Sequence, residues 1–268
     1  NSKQLEDLFV LSLFIIIFLS LILAGITTSL ILFIITLFFI TIFEKNLRKY
    51  FFVFFGLIFL LSSIIYKFHP TFKFHIGSYH TKVVSFFNIL SEDNILTEEE
   101  LEAEYRYEKK INMFYTLEYK GNFYKMNNTY IKEFKTGYLT WKENKFFGGG
   151  IKSFIMSCAR ANIPNCVNHP HNYYLEILSE LGLFGFFLIS LIFSIIILKS
   201  FIKRYFCNSK SSESYYIITP FIFLFLMEIF PIKNTGSFFS TLNATYIFLI
   251  LSILVSLLKK QYLIENKT

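Results

Sequence analysis

The chain has 268 residues, of which 54% are hydrophobic and 20% aromatic, with 26 Lys and Arg against 19 Asp and Glu. A soluble domain of this size has no interior for so many apolar side chains, which excludes that class and points to a membrane protein. The formal net charge of +7 does not indicate nucleic acid as a partner, because the basic residues fall in the gaps between apolar runs, where membrane topology places them.

The chain opens on Asn1 rather than Met, which sets the expectation of a fragment preceded by further helices. The first apolar run lacks the basic flank and small-residue site of a cleavable signal peptide. Six apolar runs lie at residues 8–23, 30–43, 51–66, 183–201, 215–230 and 245–258. With their flanks, each approaches the roughly 20 residues that cross a bilayer. All six are expected to be helices, since lipid offers no partner to open backbone groups.

Charge sets the orientation. Lys45, Arg48 and Lys49 lie between the second and third runs, Lys199, Lys203, Arg204 and Lys210 between the fourth and fifth, and Lys259, Lys260 and Lys267 after the sixth. If these three sites are cytoplasmic, alternation puts residues 24–29, 67–172 and 231–241 outside.

The outer segment 67–172 is too long for an idle connector. Its start, 68–85, carries His69, His75 and His80 among aromatics and reads as extended or irregular. The three histidines are spaced too loosely for a metal site. Residues 91–110 read as a charged surface helix, opened by Ser91-Glu92-Asp93 and Thr97-Glu98-Glu99-Glu100. Residues 127–142 read as a second helix, with Tyr130, Phe134, Tyr138 and Trp141 at helical spacing. Such a stripe serves packing, or a sugar platform if it faces a glycan. Gly148-Gly149-Gly150 allow unusual backbone angles, and with Lys152 beside them an anion could sit on backbone amides; a plain turn is the other reading.

Cys158 and Cys166 both fall outside, in an oxidising space, where a disulfide closing a short loop is expected. Cys207 lies among basic residues on the inner side and should stay reduced. The stretch His169-Pro170-His171-Asn172 ends the polar segment. Pro170 disfavours helix at His169, and Asn172 is a good N-cap, so a helix is expected from Tyr173. Glu176 and Glu180 share one face of it, and Gly182 and Gly185 allow close approach of a neighbouring helix. His171 then stands on the water side at the mouth of a bundle, where histidine exchanges protons near neutral pH. Lys233 in the last outer loop is an interfacial lysine or a partner for lipid-linked phosphate. Glu228, costly against lipid, should point into the bundle.

His171-Asn172, nine residues, Gly182, two residues and Gly185 resemble the signature of the O-antigen ligase and polymerase family. Trp141–Asn144 followed by Phe147–Phe154 resembles the family's segment before the histidine, and residues 231–239 its later outer loop. The resemblance implies an all-α integral membrane fold of about six transmembrane helices, with a large, mainly helical periplasmic loop between the third and fourth. The domains would be 1–66 (three helices), 67–172 (loop) and 173–268 (three helices), in the bacterial inner membrane.

It also implies a metal-independent glycosyltransferase without cofactor. A glycan would move from undecaprenyl pyrophosphate to a sugar hydroxyl of lipid A core or of a growing polymer. By the resemblance His171 is the base or acceptor-orienting residue and Arg160 a catalytic cation. His169, Asn172, Gly149, Lys152, Lys233 and Glu180 would serve substrate binding. Thr27 and Ile155 stand where the family carries arginines, so Arg160, Lys152, Lys233 or Arg106 must substitute. A polysaccharide or lipid transporter and a non-catalytic, glycan-binding envelope protein are the alternative classes.

Overall fold

A computed structural model describes residues 2–23, 27–45, 48–68, 95–96, 116–119, 122–125, 129–163, 166–206, 214–231 and 233–265. The chain divides into two compact units, Asn1–Thr81 and Lys82–Thr268.

The first unit holds helices α1 (Ser2–Leu23), α2 (Thr27–Phe43) and α3 (Arg48–Phe68). They are runs of Ile, Leu and Phe without an internal proline, and in lipid a helix is what satisfies such a backbone. Phe18, Leu37, Phe51 and Phe54 form their shared core. Arg48 closes the unit's polar end, donating to the carbonyls of Thr41 (2.9 Å) and Ile42 (2.8 Å) at the end of α2, where the helix dipole favours a cation.

In the second unit the strands β1 (Ile95–Leu96), β2 (Thr116–Tyr119) and β3 (Asn122–Lys125) form an antiparallel sheet in the order β1–β3–β2. Tyr119 is paired with Asn122, and Ile95 with Tyr124. This sheet departs from the all-α expectation. Ile95 and Leu96 fall in the stretch read as a charged helix, where the acidic run outweighed an apolar pair in the reading. The remainder of 91–110, and residues 69–85 with their histidines, lie outside the described residues.

Helices α4 (Thr129–Glu143), α5 (Phe154–Arg160), α6 (Tyr173–Tyr205), α7 (Ser214–Glu228) and α8 (Thr241–Glu265) complete the unit. The helix expected over 127–142 is α4. Phe134 and Leu139 of α4 pack on Phe154 and Cys158 of α5, with Leu175 of α6 against them. Ile177 and Phe193 of α6 pack with Ile222 and Phe225 of α7 and Ile247 and Leu254 of α8. All six apolar runs are helical. Tyr50–Phe68, Tyr173–Tyr205 and Thr241–Lys259 are long and apolar enough to cross a membrane, and Ser12–Leu21, Ser29–Phe43 and Ile217–Glu228 are shorter apolar helices.

Helix α6 is broken at Gly182, which has φ 67° and ψ −169°. An intact helix would bond the amides of Leu183 and Phe184 to the carbonyls of Ser179 and Glu180. Instead Leu183 donates to Lys145 O (2.8 Å) and Phe184 to Phe146 O (3.2 Å). The freed carbonyls of Ser179 and Glu180 accept from the amides of Gly149 (2.9 Å) and Gly150 (2.8 Å). Residues 145–150 therefore replace the helix's missing hydrogen bonds with their own backbone. That contact requires glycine on both sides. A Cβ at Gly182 would lie 2.3 Å from the carbonyl carbon of Phe146, and one at Gly148 2.3 Å from that of Glu180.

Gly182→Ala and Gly148→Ala are each expected to cost on the order of 3 kcal/mol, combining strain at positive φ with a backbone collision. In α3, Gly56 has nothing within 4 Å of a built Cβ. Gly56→Ala should therefore be neutral or slightly stabilising. Thermal unfolding of the three variants in detergent separates the two outcomes.

Candidate functional site

The turn before α6 is held from three sides. Asn172 caps the helix: its Oδ1 accepts from the amides of Tyr174 (3.1 Å) and Leu175 (3.2 Å). Its Nδ2 donates to the carbonyls of Pro231 (2.7 Å) and Lys233 (3.4 Å). The carbonyl of His171 accepts from the Thr235 amide at 2.8 Å. One turn into the helix, buried Glu176 accepts from Ser237 Oγ and the Phe238 amide, both at 2.5 Å. Residues 231–238 are thus fastened to the start of α6. His171 is held there at φ 51°, a left-handed conformation that costs a non-glycine residue about 1–2 kcal/mol.

The His171 side chain faces α4. Its Nε2 lies 3.6 Å from Glu133 Oε2, with the two side chains 30% and 17% exposed. The His169 and His171 rings are 4.2 Å apart between centroids. Gly137, one turn after Glu133, lets Pro170 pack onto the helix: a Cβ there would sit 2.6 Å from Pro170 Cβ. Glu133 Oε2, His169 Nε2, Asn234 Oδ1 and Thr235 Oγ1 are buried and have no hydrogen-bond partner. The four come from α4, the turn and the last loop, and all belong to segments that contact His171. Burial raises the Glu133 carboxyl above the usual carboxylate value, and the nearby His171 pulls it back. Burial first, and then His171, hold the His169 imidazole below its ordinary value. Burial also lowers the Lys132 ammonium.

The other expected site residues have different surroundings. Glu180 is buried and accepts from the amides of Lys152 (2.6 Å) and Phe154 (3.3 Å), which anchors the glycine segment and the start of α5. The amides of Gly148, Gly149, Gly150 and Lys152 all have protein acceptors. This corrects the reading of the glycines as an anion nest: Gly148 donates to the Asn144 carbonyl, and Gly149, Gly150 and Lys152 donate to α6. The Lys152 and Gly149 positions are exposed. Arg160, also exposed, borders a polar cleft with Thr140, Asn144, Ser157 and Ser179. Ser179 lies eight residues along α6 from His171, or about 12 Å at the helical rise. Lys233 forms an ion pair with Glu228, which also accepts from Tyr173 OH at 2.9 Å. It is therefore engaged within the protein. Cys158 and Cys166 form a disulfide with a Cα–Cα distance of 6.0 Å, closing the loop between α5 and the His169 turn.

Beside the turn, Phe238 packs edge-on against Tyr173, 5.5 Å between centroids. Phe238 also lines an apolar pocket with Ile192, Phe193, Ala244 and Phe248, between α6 and α8. Among the described residues there is no group of three or more His, Cys, Asp or Glu placed to hold a metal ion. Glu133 was not singled out from the sequence. Its only sequence signal is Gly137 four positions later, marking the face of α4 that something approaches closely.

A family model described as O-antigen ligase matches residues 10–190. No curated protein and no solved structure matches the chain.

Two measurements check this geometry. Labelling with maleimide, read peptide by peptide in a mass spectrometer, should reach Cys158 and Cys166 only after reduction. His169, with a folded value below its unfolded one, takes up fewer protons in the native than in the unfolded state below about pH 6.5. Stability therefore falls as pH drops through that window. Glu133, whose shift is upward, acts with the opposite sign as pH rises above the usual carboxylate range. His169→Gln should lose less melting temperature than the wild type between about pH 7.5 and pH 5. Equal losses would show that His169 is not the group responsible.

Proposed function

The chain belongs to the O-antigen ligase family, membrane-bound enzymes of the glycosyltransferase type that act on lipid-linked polysaccharide, and from that premise we propose a specific reaction. A glycan is transferred from undecaprenyl pyrophosphate to a sugar hydroxyl, on lipid A core or on a growing polymer, at the periplasmic face of the bacterial inner membrane. The six apolar helices span the membrane with their lysine-rich ends in the cytoplasm, and the segment 67–172 is periplasmic. The domains are then 1–66, 67–172 and 173–268.

His171 takes the acceptor's proton or orients its hydroxyl. The acceptor oxygen forms a bond to the anomeric carbon. The bond from that carbon to the pyrophosphate oxygen breaks, and the polyprenyl pyrophosphate leaves with the electron pair. The observation that carries this reading is the set of four buried polar atoms without a hydrogen-bond partner on the segments that meet at the His171 turn. Buried polar groups are normally hydrogen-bonded, and a sugar's hydroxyls both donate and accept. The apolar pocket bordered by Phe238 offers a place for the donor's lipid chain. With Lys233 ion-paired to Glu228, Arg160 is the cation best placed for the leaving pyrophosphate, through the bidentate geometry a guanidinium allows. Asn172 and Glu180 support the site through the backbone they hold.

His171→Ala in the full chain should lower transfer of a fluorescent glycan from its polyprenyl pyrophosphate by about 10²- to 10⁴-fold, with donor binding retained. Arg160→Lys should weaken turnover more than it weakens folding. Unchanged transfer by His171→Ala would end the assigned role. Donor binding with no turnover in the wild type would favour a glycan-binding protein instead.

A further inference from the structure

Of the four polar groups gathered near the turn, one carboxylate faces the His171 ring itself. Glu133 lies on α4, 38 residues before the histidine it faces. We infer that Glu133 is a positioning residue for His171, holding the ring by its Nε2 edge and stabilising the imidazolium formed when the acceptor's proton is taken; this rests on the transfer reaction proposed above.

The separation of 3.6 Å is an ion-pair distance and too long for a hydrogen bond. Contacts of this kind commonly tighten once substrate is bound. Oε2 is buried and has no hydrogen-bond partner, so that oxygen is not spent on holding the fold. That distinguishes it from the two other buried carboxylates of the region. Glu176 is bonded to Ser237 and Phe238, and Glu180 to Lys152 and Phe154. Gly137 fixes the placement, because Pro170 packs against α4 one turn away and leaves little play between carboxylate and ring.

The charges around the ring are of both signs. His169 stands 4.2 Å away between centroids and opposes a second positive ring. Lys233, on the loop bonded to the His171 backbone, is ion-paired to Glu228. Lys132 is the neighbour of Glu133 on α4, and Glu176 is one turn along α6. Of these groups Glu133 is the anion that faces the ring. A carboxylate at this distance attracts a positive charge that forms on the ring. It also supplies an orienting contact, as the third member of a nucleophile–base–carboxylate arrangement does.

The test needs no substrate. Diethyl pyrocarbonate attacks only the unprotonated imidazole, and mass spectrometry reads its addition to His171 in the full-length protein in detergent. The ratio of modification rates at about pH 8 and pH 6 cancels differences in accessibility between variants. With the facing charge removed in Glu133→Gln, the ratio should fall by about threefold or more. Glu133→Asp, which keeps the charge but draws it back, should fall between the two. A ratio in Glu133→Gln equal to the wild type overturns the inference. If Glu133→Gln does not fold, Glu133→Asp carries the same criterion, and a wild-type ratio there overturns it. The proposed transfer reaction stands or falls separately, on transfer by His171→Ala.

Discussion

Asn172, Glu176 and Glu180 are spaced four residues apart on α6 and form one polar stripe along its first turns. Each is buried, and each is hydrogen-bonded to chain distant in sequence. Asn172 and Glu176 hold the loop 231–238, and Glu180 holds 152–154. A buried carboxylate is tolerated only where it is fully hydrogen-bonded, and each of these two receives two donors. The stripe is therefore a constraint as well as a set of contacts. The loops cannot leave without stranding buried polar groups that have lost their donors, so the helix start, the last loop and the glycine segment keep one arrangement.

The consequence for the site is that its parts arrive from separate stretches. The turn 169–171, the loop residues Asn234 and Thr235, and Glu133 of α4 meet because the stripe and the Gly137–Pro170 contact bring them together. The disulfide shortens the chain between α5 and the turn and limits how far the turn can swing. The left-handed angle at His171 is sustained by those ties, since an isolated chain would relax it.

Signals of short range were legible in the sequence. Pro170 followed by Asn172 specified where α6 begins, because capping is local chemistry. The apolar runs specified helices, because lipid leaves no alternative. Helix α4 followed from aromatics repeating at its period. What the sequence withheld was pairing at long range. The glycines 148–150 were read as a turn or a cradle for an anion, and the amides of Gly149 and Gly150 belong to a break in α6 about thirty residues on. Lys233 was read as an interfacial lysine or a partner for lipid-linked phosphate, and it meets Glu228. The sheet was missed because the pairing of Ile95 with Tyr124 crosses a stretch whose dominant feature is charge. Glu133 was one acidic residue among many until tertiary packing put it beside an imidazole.

The break at Gly182 explains how one helix serves two environments. Before it, Glu176, Ile177, Ser179 and Glu180 are buried in protein; after it, Phe184 and Phe187 are 61% and 64% exposed. The polar stripe ends there as well, since Phe184 and Leu188 follow Glu180 at the same helical spacing. The later turns carry no charged residue before Lys199 and expose Phe184, Phe187, Leu188 and Leu191. The freed backbone groups would be untenable at the edge of a membrane, and the glycine segment satisfies them. The break in α6 and the arrangement of residues 145–150 therefore depend on each other. The histidine turn, which ends eleven residues before Gly182 on the same rigid stretch, inherits its position from that joint.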